Sequence, residues 1–289
     1  MKFKNTLTYN FLLLILFIGA CTNGEINSGK NNNELKDSLS VDYISTMIRE
    51  TPKDASLFYK RSKLYIEKGE TEEAINDITI AIRLDSLNPD YRLTAAEYYL
   101  IRGKSGKAKD ELIKCLKFNP ENTDVLLKLA EIYLLVKDYK KSIEYLNKVY
   151  KYNSGSPRLY FLRAIISKEK NDTASTIKNL HIAIEKNPEF YDAYILLGLE
   201  YANKKDSMAI EFYNNAINLK PNEVEPYYNL AMFYQENNRY IDALSVYSKI
   251  INDIDSNYIF AYYNSGYNYL VNLNDYDKAI EYFEKTIEM

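Results

Sequence analysis

A chain of 289 residues that is 46% apolar and 27% charged is too hydrophobic for disorder, and 9 glycines with 7 prolines are too few for a loop-rich β protein. A formal net charge of −3 supplies no concentrated basic face, which excludes a nucleic-acid-binding protein. Two cysteines, Cys21 and Cys115, cannot build a disulfide framework, and no Cys/His cluster suggests zinc, so neither metal nor cofactor is expected.

The chain opens with Lys2 and Lys4 ahead of an apolar run from Phe11 to Ala20. That run is about half of the ~20 residues a membrane span needs, so it reads as a secretory signal. It ends Ile18-Gly19-Ala20-Cys21: one aliphatic residue, two small ones, then cysteine. An ordinary secretion signal with a chance cysteine, or a single-pass anchor, are the alternatives. The four residues resemble the lipobox of bacterial lipoproteins. The resemblance implies that residues 1–20 are removed, that Cys21 is acylated, and that the protein is lipid-anchored in the bacterial cell envelope, with the outer membrane ahead of the inner. Residues 21–37 then hold the lipidated cysteine and a polar tether rich in Asn, Gly and Ser, with an end-to-end distance on the order of 20 Å.

Residues 38–54 read as one amphipathic helix, with Ile44, Met47 and Ile48 apolar and Pro52 at its end. It suits the N-terminal cap of a repeat array, whose end unit has no neighbour. Beyond it the sequence is periodic. Pro52, Pro120 and Pro188 are separated by 68 residues, as are Pro89 and Pro157, which is twice 34. Tyr65, Tyr99, Tyr133, Tyr201, Tyr234 and Tyr269 form a column, with Ser167 filling its gap. Three residues earlier stands a small residue: Ser62, Ala96, Ala130, Ala164, Gly198, Ala231 and Gly266. A third column (Ala74, Ala108, Ser142, Thr176, Ala209, Ala243, Ala279) is small, and four residues after it comes a large apolar one: Ile78, Leu112, Leu146, Leu180, Tyr213, Tyr247 and Phe283. One residue is lost after Tyr201 and one gained after Tyr269, and both changes are expected in the turn between helices. In the fifth copy, Tyr194, Leu197, Gly198 and Tyr201 mark one helix face, and Ala209, Phe212, Tyr213 and Ala216 a second. Small residues let two antiparallel helices approach.

The copies resemble the tetratricopeptide repeat, W-x2-L-G-x2-Y, then A-x3-F, then P. Tyr194, Leu197, Gly198 and Tyr201 match the first part with Tyr for Trp, and Ala279 and Phe283 match the second. The resemblance implies an all-α fold, a right-handed α-solenoid of about seven helix-turn-helix units over residues 55–289: about 55–88, 89–122, 123–156, 157–190, 191–223, 224–258 and 259–289. Arg61, Arg92 and Arg163 stand where an apolar residue is usual, and with Ser167 they suggest looser repeats.

The family binds partner segments on the concave side, lined by first helices. That implies a groove column of Tyr59, Leu93, Leu127, Phe161, Ile195, Tyr228 and Tyr263. A second column turns apolar only in the last four repeats, as Ile165, Leu199, Met232 and Tyr267. The alternative is that the first column merely widens the core stripe. Lysine is missing beside Asn229 and Asn264, which argues against a carboxylate clamp.

No catalytic motif appears. His181 reads as a surface residue and Cys115 as a small core residue in a column with Ala81, Ala183 and Ala216. The expectation is a non-enzymatic scaffold or adaptor that binds other envelope proteins or peptides, anchored to the membrane by lipid. The alternative is a regulatory or substrate-selecting subunit of an envelope enzyme complex, with catalysis in a partner chain. Tyr282, Phe283 and Ile287 on the last helix suggest a homodimer through the C-terminal end.

Overall fold

The computed structural model describes residues 40–289; the expected signal, the expected lipidation of Cys21 and the expected tether lie outside the described residues. The described chain contains fifteen helices and no strand. They are α1 (Val41–Glu50), α2 (Ala55–Glu67), α3 (Thr71–Leu84), α4 (Pro89–Ile101), α5 (Ser105–Phe118), α6 (Thr123–Leu135), α7 (Tyr139–Tyr152) and α8 (Pro157–Glu169). There follow α9 (Thr173–Lys186), α10 (Tyr191–Asn203), α11 (Met208–Leu219), α12 (Val224–Glu236), α13 (Tyr240–Lys249), α14 (Ile259–Tyr267) and α15 (Tyr276–Glu288). Among these helices none is long and apolar enough to cross a membrane. The chain divides into two compact units, one ending at Asn153 and the other beginning at Ser154. In each unit a helix pairs first with its hairpin partner and then with the next hairpin, the layering of an α-solenoid. In the first unit α1 packs on α2, with Ile44 buried and Ile48 against the cluster around Phe58, Ala74 and Ile78.

The columns explain the hairpins. Every residue of the column Ala74, Ala108, Ser142, Thr176, Ala209, Ala243 and Ala279 is buried. Where that residue is polar, its hydroxyl donates to a carbonyl, Ser142 Oγ to Ala130 O at 2.8 Å and Thr176 Oγ1 to Asp172 O at 2.8 Å, so burial leaves no orphan donor. Cys115 is buried in the apolar cluster of Ala96, Ala108 and Leu112, and burial pushes its thiol pKa up.

The first six hairpin turns close in the same way, and in the last the closing bond, Asp275 N–H to Tyr269 O at 2.9 Å, spans one residue more. The carbonyl of the tyrosine column accepts an amide just past the turn: Glu70 N–H to Tyr65 O at 2.8 Å, Asp138 to Tyr133 at 2.8 Å, Asp206 to Tyr201 at 2.9 Å. Between them one residue takes the left-handed conformation, in turn Gly69, Gly103, Lys137, Asn171, Lys205, Asn238 and Asn274, with φ from 55° to 78°. This is the Schellman closure, which satisfies carbonyls that a helix end leaves unpaired. The column is therefore fixed in position by the turn that follows it as well as by its packing.

The residue lost after Tyr201 is not taken from the turn: the connection Lys204–Ser207 before α11 is four residues long where most other hairpins have three, and α11 instead starts late, at Met208, and is shorter by two residues than α9. The gain is placed differently. Tyr234 to Tyr269 already spans 35 residues, and Gly266 to Ala279 is one residue longer than Ala231 to Ala243. The two extra residues are taken up inside helices, as π-helical segments Ile250–Ile254 after α13 and Asn268–Leu273 after α14. A π turn holds one more residue and keeps the hydrogen-bond ladder, so the helices continue through the insertions.

Arg61 and Arg92 do not loosen their repeats. Arg61 makes two bonds to buried Asp77, Nε to Oδ2 at 2.6 Å and Nη2 to Oδ1 at 2.8 Å, and donates to Ser45 Oγ at 2.9 Å. Arg92 Nη1 meets Glu111 Oε2 at 2.6 Å, and its other donors reach Ser86 O. Asp77 and Glu111 occupy one column, filled in other repeats by Tyr145, Asn179, Phe212, Val246 and Tyr282. For Arg61 and Arg92 the acid thus appears where the arginine does, while the repeat of Arg163 carries Asn179 in that column.

Candidate functional site

The predicted groove residues fall in both units. In the first, Tyr59, Leu93 and Leu127 are half-buried, and Tyr59 packs on Tyr91 with ring centroids 5.0 Å apart. In the second, Phe161 and Ile195 are 1% and 2% exposed, so in the fourth and fifth repeats this column is core. Ile165, Leu199, Tyr228 and Met232 are half-buried, while Tyr263 and Tyr267 are 50% and 39% exposed. The available apolar surface of this column is therefore concentrated on α14, where Phe260 adds another ring at 51% exposure.

Behind that surface runs a polar ladder that sequence reasoning missed. Asn264 Nδ2 donates to Tyr228 Oη at 3.2 Å. Asn268 is fully buried; its amide donates to Gln235 Oε1 at 2.7 Å and to Asn264 O at 2.9 Å, and it accepts from Asn272 Nδ2 at 3.0 Å. Tyr247 Oη reaches Gln235 Oε1 and Met232 Sδ, both at 3.2 Å. Tyr228 and Met232 are thereby tied from beneath. The available signal was a column: Leu64, Tyr98, Ile132, Ile166, Glu200, Phe233 and Asn268 share one register, and only Glu200 and Asn268 are polar. Glu200, likewise buried, is paired with Lys168.

A second missed feature is a column of first-turn residues, Arg158, Asp192, Glu225 and Phe260, on α8, α10, α12 and α14. Asp192 and Glu225 are both partly buried. Burial raises the Asp192 carboxyl, while Arg158 and Lys220 oppose the shift. Burial raises Glu225 to about 7, with Asp192 and Glu223 adding repulsion and Lys220 opposing. Tyr191 lies beside them, buried, and its hydroxyl has no hydrogen-bond partner.

The Glu225 shift makes stability depend on pH. The folded chain holds this proton up to about pH 7, whereas an unfolded glutamate releases it near 4.5. Between those values the folded state binds more protons, so its stability falls as pH rises. Glu225→Gln is expected to leave stability unchanged near pH 4 and to raise it at pH 8 by roughly 1–2 kcal/mol, less than the full shift implies because the carboxyl still meets water. Urea titrations of both proteins at the two pH values check this, and an equal effect at both contradicts it.

His181 is half-buried rather than at the surface: its Nε2 lies 3.2 Å from Tyr201 Oη and its ring meets Phe212 edge-on at 5.6 Å. At the C-terminal end, Tyr282 stacks on Tyr269 at 5.6 Å and Phe283 lies against Gly266 and Tyr263. Both are half-buried within their hairpin, and of the residues expected to form an association surface only Ile287, 83% exposed, is open. Among the described residues no group of His, Cys, Asp and Glu could hold a metal ion.

Tetratricopeptide repeat sequence profiles match residues 55–86, 123–155, 191–223 and 261–289, and a further one matches 212–245. No curated protein matches by sequence. Among solved structures, a tetratricopeptide repeat protein from Parabacteroides merdae is 17% identical with a TM-score of 0.60, over 86% of this chain and 94% of that one. The human IFIT1 dimer with m7Gppp-AAAA is 15% identical at a TM-score of 0.58, over 86% of this chain and 63% of that one. YrrB, described as a repeat protein of this type with an unusual peptide-binding site, is 22% identical at 0.44, over 65% and 97%.

Proposed function

The chain belongs to the tetratricopeptide repeat family, and from that premise we propose that it is a lipid-anchored interaction scaffold of the bacterial envelope. It binds segments of other envelope proteins on the first-helix face of its second unit. The observation that carries this reading is the open aromatic surface of Phe260, Tyr263 and Tyr267, beside half-buried Tyr228. Large exposed apolar side chains in one patch mark contact sites, and Tyr is favoured in such sites because it brings area at little entropic cost. The backing of Tyr228 and Met232 by the Gln235–Asn268 ladder makes the surface rigid before a partner arrives. The anchor rests on Ile18-Gly19-Ala20-Cys21.

Photocrosslinking in intact cells tests it. A benzophenone amino acid at position 263 is expected to give a discrete adduct with another envelope protein, and the same group at exposed Asn214 on α11 is not. Tyr267→Ser should weaken the adduct without changing far-UV helicity. Cys21→Ser should leave an uncleaved precursor without label from a fatty-acid precursor. Equal crosslinking at both positions removes the surface, and normal maturation of the cysteine variant removes the anchor.

A further inference from the structure

The first-turn column of the second unit joins opposite kinds of chemistry at one place. Asp192 and Glu225 come from successive first helices, α10 and α12, which contact one another directly. Three residues on from Glu225 along α12, Tyr228 enters a cluster of three rings: Tyr228 to Tyr258 at 5.6 Å and 74°, Tyr258 to Phe260 at 5.7 Å and 62°, and Tyr228 to Phe260 at 6.3 Å and 55°. Glu225 acts electrostatically on Tyr258, and it is the leading charge on the Tyr191 phenol. That phenol is the independent sign of an incomplete site: it is more than nine-tenths buried and its oxygen has no hydrogen-bond partner. A buried hydroxyl without a partner loses its hydrogen bonds to water and gains none in return. The cations already within range, Lys220 and Arg158, lie over rings, with Lys220 Nζ 4.4 Å from the Tyr191 centroid and Arg158 Cζ 5.4 Å from that of Phe161.

Two carboxylates beside a cluster of steeply inclined rings form a receptor for a cation, since a ring face and a carboxylate both attract positive charge. We propose that Asp192 and Glu225 receive a lysine or arginine side chain of the bound segment, with its aliphatic stem across Phe260 and Tyr258 and its apolar neighbours on Tyr263 and Tyr267. This deepens the reading of the groove as a peptide site and rests on it. It also gives the surface a selectivity that exposed rings alone lack, because a segment without the cation leaves two partly buried carboxyls with only Lys220 and Arg158 to offset them.

The test uses the full chain and pools of acetylated, amidated hexapeptides. One position is fixed as Lys, Arg, norleucine, Gln or Glu, and the others are drawn from Ala, Leu, Phe and Ser. Fluorescence anisotropy should show the Lys and Arg pools binding roughly tenfold tighter than norleucine or Gln. In Asp192→Asn/Glu225→Gln the ratio should fall to about one while norleucine-pool affinity is kept, which shows that the groove is still folded. Glu223→Gln, an exposed neighbour, should keep the ratio. Equal binding of Lys and norleucine pools by the parent chain, or a ratio that survives the double substitution, overturns the cation site and leaves the apolar groove standing. Preference for the Glu pool overturns it in favour of Arg158 and Lys220. Binding by no pool removes the groove reading and this one with it.

Discussion

Asp77→Ala is expected to destabilise the first unit by about 3 kcal/mol, among the largest effects of a single substitution in that unit. The carboxylate is buried and takes two short bonds from Arg61. Its hydrogen bonding raises the Arg61 pKa, but a guanidinium lies far above neutral pH without that help, so Arg61 stays charged when its partner is removed. Removing the acid leaves a fixed positive charge packed between α2 and α3, with Ser45 Oγ as its remaining side-chain acceptor among the bonds described above. The cost sits at the low end of the range for buried pairs because the Arg61 side chain keeps 17% of its surface and can turn toward water. The same physics predicts the opposite result for the double replacement Arg61→Leu/Asp77→Val. Apolar residues fill these columns in other repeats, Leu197 and Val246 among them, and two desolvated charges then disappear together. That variant should be as stable as the parent or more so. Because the chain divides into two compact units, a single melting curve can blend two transitions. Hydrogen exchange of peptides from residues 41–118 reads the first unit by itself. A loss below about 1 kcal/mol for Asp77→Ala would mean that the pair is a surface pair in effect.

The Arg61 and Arg92 pairs show what the sequence revealed and where reading it stopped. The fold was legible because seven copies repeat the same small-large spacing, and a regular error in all of them is improbable. Arg61 and Arg92 looked like defects because each column was read separately. Read jointly, Arg61 with Asp77 and Arg92 with Glu111 form compensated exchanges between two columns of one repeat. The site was less legible for the same reason. Phe161 and Tyr263 share a column and a chemical class, yet one is core and the other open, since exposure depends on how much the neighbouring hairpins cover. Asp192 and Glu225 lie 33 residues apart and carry no motif; only stacking α10 on α12 brings them together. The π turns have no residue signature of their own and show only as a change of interval.

Gly198→Ala tests the deepest of those spacings. A Cβ at this position would stand 2.4 Å from Cε1 and 2.6 Å from Cδ1 of Tyr213, a ring that is fully buried and has nowhere to retreat. Overpacking of this kind costs about 1–3 kcal/mol, and the better helix propensity of alanine returns up to about 1. The expected net loss is about 1–2 kcal/mol, read from urea unfolding of the second unit. Gly266 supplies an internal comparison. Its Cβ would meet Phe283 Cε1 at 2.9 Å, but that ring is only half-buried and can swing outward, so Gly266→Ala should be close to neutral. The second half of the test follows from the other repeats, where alanine faces leucine in the same two columns: Ala96 with Leu112, Ala130 with Leu146, Ala164 with Leu180. Tyr213→Leu alone should cost about 2 kcal/mol or more by leaving space above the glycine. Gly198→Ala/Tyr213→Leu fills that space with a methyl group and should fall short of the summed losses by at least about 1 kcal/mol. Additive losses would mean that glycine and ring do not share one volume, and that the small column is set by helix approach alone.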